Sequence, residues 1–153
     1  MSLSGTGIAP AVSFSPTNLS FVSQPVGTTS TTQTITLANS GSATLTITSL
    51  AVTGTNASDF VETHLCGSSL TAGAYCRIAV LFSPTAAGVR TAALSVTDNA
   101  NGSPQTVSLS GTGSHDVILS WTASATSGVI GYNVDRGDDL RRRELNATEP
   151  HAD

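Results

Sequence analysis

The sequence predicts an all-β fold, an immunoglobulin-like β-sandwich of about seven strands followed by an incomplete second β module. Three observations carry that expectation. Apolar residues alternate with Ser and Thr in short runs, as in Thr32 to Ala38, where Ile35 and Leu37 share one face and Thr34 and Thr36 the other. A period of two puts one face of a strand in a core and the other in water. Such runs recur at spacings of roughly 8 to 15 residues, bounded by Gly, Pro, Asn and Ser, with no helical periodicity. Finally, hydrophobic residues make up 39% of the chain and aromatics only 5%. A core built from Val, Leu, Ile and Ala suits a thin sandwich better than a deep ligand cavity.

Taken in order, Val12, Phe14, Leu19 and Phe21 mark a first strand from about 11 to 22, kinked at Pro16 because proline lacks the N–H a ladder needs. Gln24 to Ser30, with Pro25 and Gly27, reads as a turn. Thr32 to Ala38 is the next strand, Asn39 to Ser42 a hairpin turn, and Leu45 and Ile47 resume the alternation. Leu50 and Val52 fall on the opposite parity, so a β-bulge or a crossing between sheets is expected there. Phe60 is a core anchor. Cys66 to Cys76 encloses a polar turn with Gly67 and Gly73. Ile78, Val80 and Phe82 point one way and Ala79 and Leu81 the other, which makes this the most apolar strand and a central one. Val89 to Val96 alternates through Ala92 and Leu94, Asp98 to Pro104 turns, and Val107 and Leu109 close the set.

The string SLSGTG occurs twice, at Ser2 to Gly7 and at Ser108 to Gly113, 106 residues apart. That spacing implies one whole repeated unit preceded by the end of another. The expected domains are therefore residues 1–7, a closing strand or linker of a preceding repeat; 8–113, the module; 114–136, a partial second module; and 137–153, a disordered tail. Leu109 would be the last inward residue, with Gly111 and Gly113 as the joint. Past it, Val117, Leu119 and Trp121, then Ile130, Tyr132 and Val134, alternate as two further strands, too few to bury their own faces. Residues 135–153 hold 10 of the 16 Asp, Glu and Arg side chains and read as a solvated tail or a reading-frame artefact.

Composition excludes several function classes. Lysine is absent and the formal net charge is -4, whereas a phosphate-binding face needs clustered Lys and Arg, so nucleic acid is not an expected partner. No apolar run approaches the roughly 20 residues of a membrane span. The first residues lack the regions of a signal peptide, so a secretion signal would lie upstream. His64, His115 and His151 are scattered, the carboxylates are sparse and no nucleophile elbow occurs. No enzymatic activity and no cofactor are expected.

The run from Phe14 through FSPTNLSFVSQPVGTTSTTQTITLANSG, then the paired cysteines, FSPTAAG and the closing SLSGTG, resembles the abnormal-spindle and hydin (ASH) type of immunoglobulin-like repeat over residues 8–113. It is most similar to bacterial versions that occur in tandem in large exported proteins. VILSWTASATSGVIGYNVDRGD resembles the opening of a fibronectin type III domain, with Trp121 and Tyr132 at the places of that family's core Trp and Tyr. The resemblance implies an extracellular or cell-surface array in which sandwich modules are spacers or adhesive elements. Eukaryotic relatives serve cilia and centrosomes, but the paired cysteines argue against a reducing compartment.

Cys66 and Cys76 are the sharpest chemical feature. Nine intervening residues with glycines allow a hairpin that brings the sulfurs together, and closing such a loop would stabilise the module by about 3 kcal/mol in the chain-entropy model. Metal ligation is the weaker reading, since only His64 lies nearby. Asp98, Asn99 and Asn101 offer oxygens to calcium, but Asn and Gly at a hairpin tip have local backbone reasons to be there. Arg136, Gly137 and Asp138 spell RGD at a position where fibronectin-like modules have an Arg-Gly pair, so chance explains it. The Asn-X-Ser/Thr sequons at Asn18, Asn56, Asn101 and Asn146 are expected by chance in so hydroxyl-rich a chain.

The expected function is that of a non-enzymatic structural or adhesive module of an exported repeat protein, spacing or presenting other domains, with neighbouring modules or copies of itself as partners. In one alternative the assembly strand Ser2, Leu3 and Ser4 adds to the sheet edge of a neighbouring copy and builds a filament. In another the module binds a surface glycan or a protein, a role that Tyr75 would have to carry because the other aromatics sit at inward positions.

Overall fold

The computed structural model describes residues 7–115. The expectations for Ser2, Leu3 and Ser4, for the fibronectin-like fragment and for the charged tail lie outside the described residues. Ten strands are described: β1 (Val12–Ser15), β2 (Asn18–Ser20), β3 (Gln24–Pro25), β4 (Gln33–Asn39), β5 (Leu45–Thr53), β6 (Phe60–His64), β7 (Ser69–Leu70), β8 (Tyr75–Phe82), β9 (Gly88–Asp98) and β10 (Gln105–Ser114). They form two sheets. One has the order β1-β4-β8-β6, the other β2-β10-β9-β5-β7 with β3 also paired to β10. The described part of the chain is an immunoglobulin-like sandwich, and its strand count exceeds seven because the chain changes sheets in mid-run.

The inward faces meet as the alternation requires. Ile35, Leu37, Ile78, Val80 and Phe82 from one sheet lie against Leu45, Leu94, Val96, Val107 and Leu109 from the other, all at most 1% exposed. Phe60 joins Phe21 and Phe82 in a cluster with ring centroids 4.9 to 5.9 Å apart, within the range of favourable aromatic pairs. The apolar β8 is central, paired to β4 on one side and β6 on the other.

Three sequence expectations are corrected. The first strand breaks at Pro16, so that β1 pairs antiparallel with β4 while β2 runs parallel to β10 in the opposite sheet. Asn39 to Ser42 is a crossing between sheets and no hairpin, since β4 and β5 belong to different layers. The side chain of Asn39, fully buried, makes that crossing. Its amide donates to the carbonyls of Ala43 (2.8 Å) and Leu70 (3.0 Å), and its oxygen accepts from the N–H groups of Ala11 (3.3 Å) and Gly41 (3.1 Å). Likewise the stretch between the cysteines is no hairpin. It carries β7 across to pair Leu70 with Leu45 before the chain returns as β8.

The parity slip is a bulge: the β5–β9 register shifts between Ile47 and Ser49, so Leu45 and Ile47 face inward before it and Leu50 and Val52 lean on the core after it.

The second SLSGTG is strand to its end. β10 pairs with β9 through Gly113 opposite Gly88 and with β3 at Gly113 and Ser114. Gly111 and Gly113 are therefore not a joint; both are buried inward positions continuing the row of Val107 and Leu109. A Cβ on Gly111 would stand 2.6 Å from Cε1 of Phe82, and one on Gly113 would collide with the Ala86 carbonyl. Close approach, and no need for a flexible hinge, explains both glycines.

The chain enters and leaves at opposite poles. Ala9 is tied to the β4–β5 crossing, its carbonyl accepting from the N–H of Ser42 at 2.9 Å. At the other end of β10 the Ser114 carbonyl accepts from Val26 N–H at 2.8 Å, beside the β8–β9 turn that covers Gly113.

Candidate functional site

Side chains that face water from the four-stranded sheet form a shallow groove of about 580 Å³. Its floor follows from register. Thr63 on β6, Ala79 on β8 and Thr34 on β4 lie opposite one another across three adjacent strands. Since the middle residue has only a methyl group, the flanking threonines and the residues toward the start of β8 become walls. Arg77 and Tyr75 continue the outward row on β8, and Leu65 stands just past the end of β6. Tyr75 is 61% exposed and Leu65 99%. Both are large apolar surfaces without a cover among the described residues.

Arg77 gives the groove its charge. The one salt bridge among the described residues joins Arg90 to Asp59, so Arg77 has no carboxylate partner there. None of the groove's lining residues is acidic. His64 and Cys76 complete the rim. Cys76 is bonded to Cys66, with Cα atoms 5.3 Å apart, which staples the segment after β6 to the start of β8. The bond thus fixes the Leu65 wall relative to the floor.

The other polar cluster is internal. Asp59 follows a loop, is 0% exposed, and accepts from the N–H and hydroxyl of Thr85 (3.2 and 2.7 Å) and from Nε of Arg90. Burial pushes its carboxyl up, but the hydrogen bonds of Thr85 and Arg90 and the Arg90 charge outweigh that and hold it below its ordinary value of 3.8. The cluster ties the approach to β6 to the β8–β9 turn and to β9. Sequence reasoning misses it: the only signal is that Arg90 is the one basic residue of β9.

Of the oxygens that the sequence offers to calcium, one on Asp98 serves its own turn, that of Asn99 ties the turn to β5, and the second Asp98 carboxylate oxygen is buried without a hydrogen-bond partner among the described residues. Asp98 accepts from Ala100 N–H at 2.7 Å and Asn99 from Thr46 N–H at 2.7 Å. Tyr75 does reach the surface, whereas Phe21, Phe60 and Phe82 are buried and Phe14 is half-buried.

Residues 9–114 match the family model described as Cep192 domain 4. The chain belongs to that family. No curated protein sequence matches it. Among solved structures, this Cep192 domain 4 module is similar to the ASH/PapD-like domain 7 of human CEP192, at 16% identity and a TM-score of 0.54, over 76% of this chain and 94% of that one. A Porphyromonas gingivalis W83 protein of unknown function is similar at 15% identity and a TM-score of 0.56, over 67% of this chain and 46% of that one. The secreted serine protease VesC of Vibrio cholerae is similar at 14% identity and a TM-score of 0.51, over 69% of this chain but only 23% of its own. At such identities the likeness concerns the fold alone, and in the last two structures the matched part is less than half of the solved chain.

Proposed function

We propose that the chain is a non-enzymatic spacer module of an exported repeat protein, holding neighbouring modules at fixed distances. The observation that carries this reading is the separation of its two ends. Ala9 enters at the β4–β5 crossing and Ser114 leaves beside the β8–β9 turn, so copies joined end to end extend instead of folding back. The repeated SLSGTG fits the same reading. In its second copy the glycines pack under Phe82 and Ala86 as part of the closing strand, so a first copy at residues 2–7 is what the end of a preceding module would leave. Export is supported by the disulfide and by a lysine-free, hydroxyl-rich chain.

Small-angle scattering of a head-to-tail fusion of two copies tests the spacer role. The ten residues of β10 span about 30 Å, so the maximum dimension is expected to grow by about that length per added copy. A fusion that grows by less than half of it packs side by side and sinks the reading. Export is checked separately by alkylating intact producing cells: Cys66 and Cys76 should resist labelling until a reductant is added.

A further inference from the structure

The spacer role uses the poles of the sandwich and leaves the groove on the four-stranded sheet unassigned. We propose that this groove binds a short acidic saccharide, with a carboxylate of the ligand on Arg77 and a sugar face laid on Tyr75. Charge complementarity supports the acid. Arg77 has no acidic partner among the described residues, and the groove has no acidic lining residue. A guanidinium in that state takes a carboxylate in two parallel hydrogen bonds.

Three features favour a saccharide over a peptide. Only eight of the described residues line the groove, whereas a protein interface takes about 20 to 30 residues a side. The floor strand β8 has a paired strand on each side at Ala79, β4 and β6, so an extended peptide could gain no main-chain bonds there. Sugar hydroxyls need none, because Thr34 and Thr63 each present a hydroxyl that both donates and accepts. Tyr75 and Arg77 stand two residues apart on one face, about 7 Å along β8, a span that one short acidic oligosaccharide bridges.

The test is an NMR titration of the oxidised full chain with trigalacturonate, its methyl ester and triglutamate. Saturable shifts from trigalacturonate, confined to the outward residues of β4, β6 and β8, are expected. Arg77→Gln and Tyr75→Ala, both at exposed positions, should each raise Kd about tenfold without altering the melting temperature. The methyl ester should bind weakly in the wild type and equally weakly in Arg77→Gln. No saturable shift overturns the site. An ester that binds as well as the acid overturns the role of Arg77, and triglutamate binding more tightly than trigalacturonate overturns the saccharide. None of these results depends on the shape of the two-copy fusion, so the spacer reading and this one fail separately.

Discussion

Gly111→Ala puts the packing of the closing strand to a direct test. The new methyl carbon would lie 2.6, 2.7 and 2.9 Å from Cε1, Cζ and Cδ1 of Phe82, where ordinary carbon contacts begin near 3.5 Å. The ring cannot simply step aside: Phe82 is fully buried, with Phe60 at 4.9 Å and Phe21 at 5.7 Å between centroids. Overpacking of this kind costs about 3 kcal/mol. Alanine also restricts the unfolded chain, which returns about 0.5 to 1 kcal/mol. The net destabilisation is then about 2 kcal/mol, or a melting temperature lower by roughly 8 °C. Urea denaturation measures it, with Gly67→Ala as control, because a Cβ there meets nothing closer than Ser69 O at 4.0 Å. In a Phe82→Leu background, where the ring is gone, the penalty of Gly111→Ala should shrink by about 1 kcal/mol or more. Unchanged stability of Gly111→Ala, or a penalty undiminished by the loss of the ring, would refute the contact as the reason for glycine.

Asn39→Ala removes four hydrogen bonds at the sheet crossing and leaves the Leu70 carbonyl without that donor, at a cost of about 3 kcal/mol in chemical denaturation. Asp59 should make the module acid-sensitive. Its folded carboxyl sits below the ordinary 3.8, so the folded state binds fewer protons, and the stabilisation is present above that pH and lost as pH falls through the folded value. Stability measured from pH 6 to 2 should therefore decline less steeply in Asp59→Asn than in the wild type. Arg90→Met leaves Asp59 buried without its cation and is expected to cost about 3 to 5 kcal/mol at neutral pH, read as a lowered melting temperature. Reducing Cys66–Cys76, which are 10 positions apart, should lower stability by about 3 kcal/mol, and a melting temperature indifferent to reductant would count against that estimate.

The groove was partly legible. Tyr75 stood out as the aromatic at an outward position, because alternation along β8 places it opposite in phase to Ile78 and Phe82. Arg77 shares its phase, two residues on, yet nothing local says that it lacks a carboxylate partner. Thr34 and Thr63 are ordinary outward threonines until β4, β8 and β6 are aligned, when they flank Ala79. Asp59 and Arg90 are 31 positions apart and meet only because the β8–β9 turn brings Thr85 and β9 over the start of β6.

By itself the sequence determined what local periodicity can encode: strand type, inward and outward faces, the central place of β8, the core role of Phe60 and the parity slip that is the β5 bulge. A side chain's face depends on its neighbours two positions away, so alternation is readable without knowing the partners. Which sheet each strand joins is a different matter. Asn39 to Ser42 and the stretch between the cysteines have the composition of hairpin turns, and the same small polar residues also serve a crossing between layers. Only the tertiary structure decided between them, through a buried Asn39 amide that bonds four backbone groups from separate segments. It likewise decided the meaning of Gly111 and Gly113. A glycine required by flexibility and a glycine required by a ring packed above it look the same in sequence, and the ring of Phe82 comes from the opposite sheet.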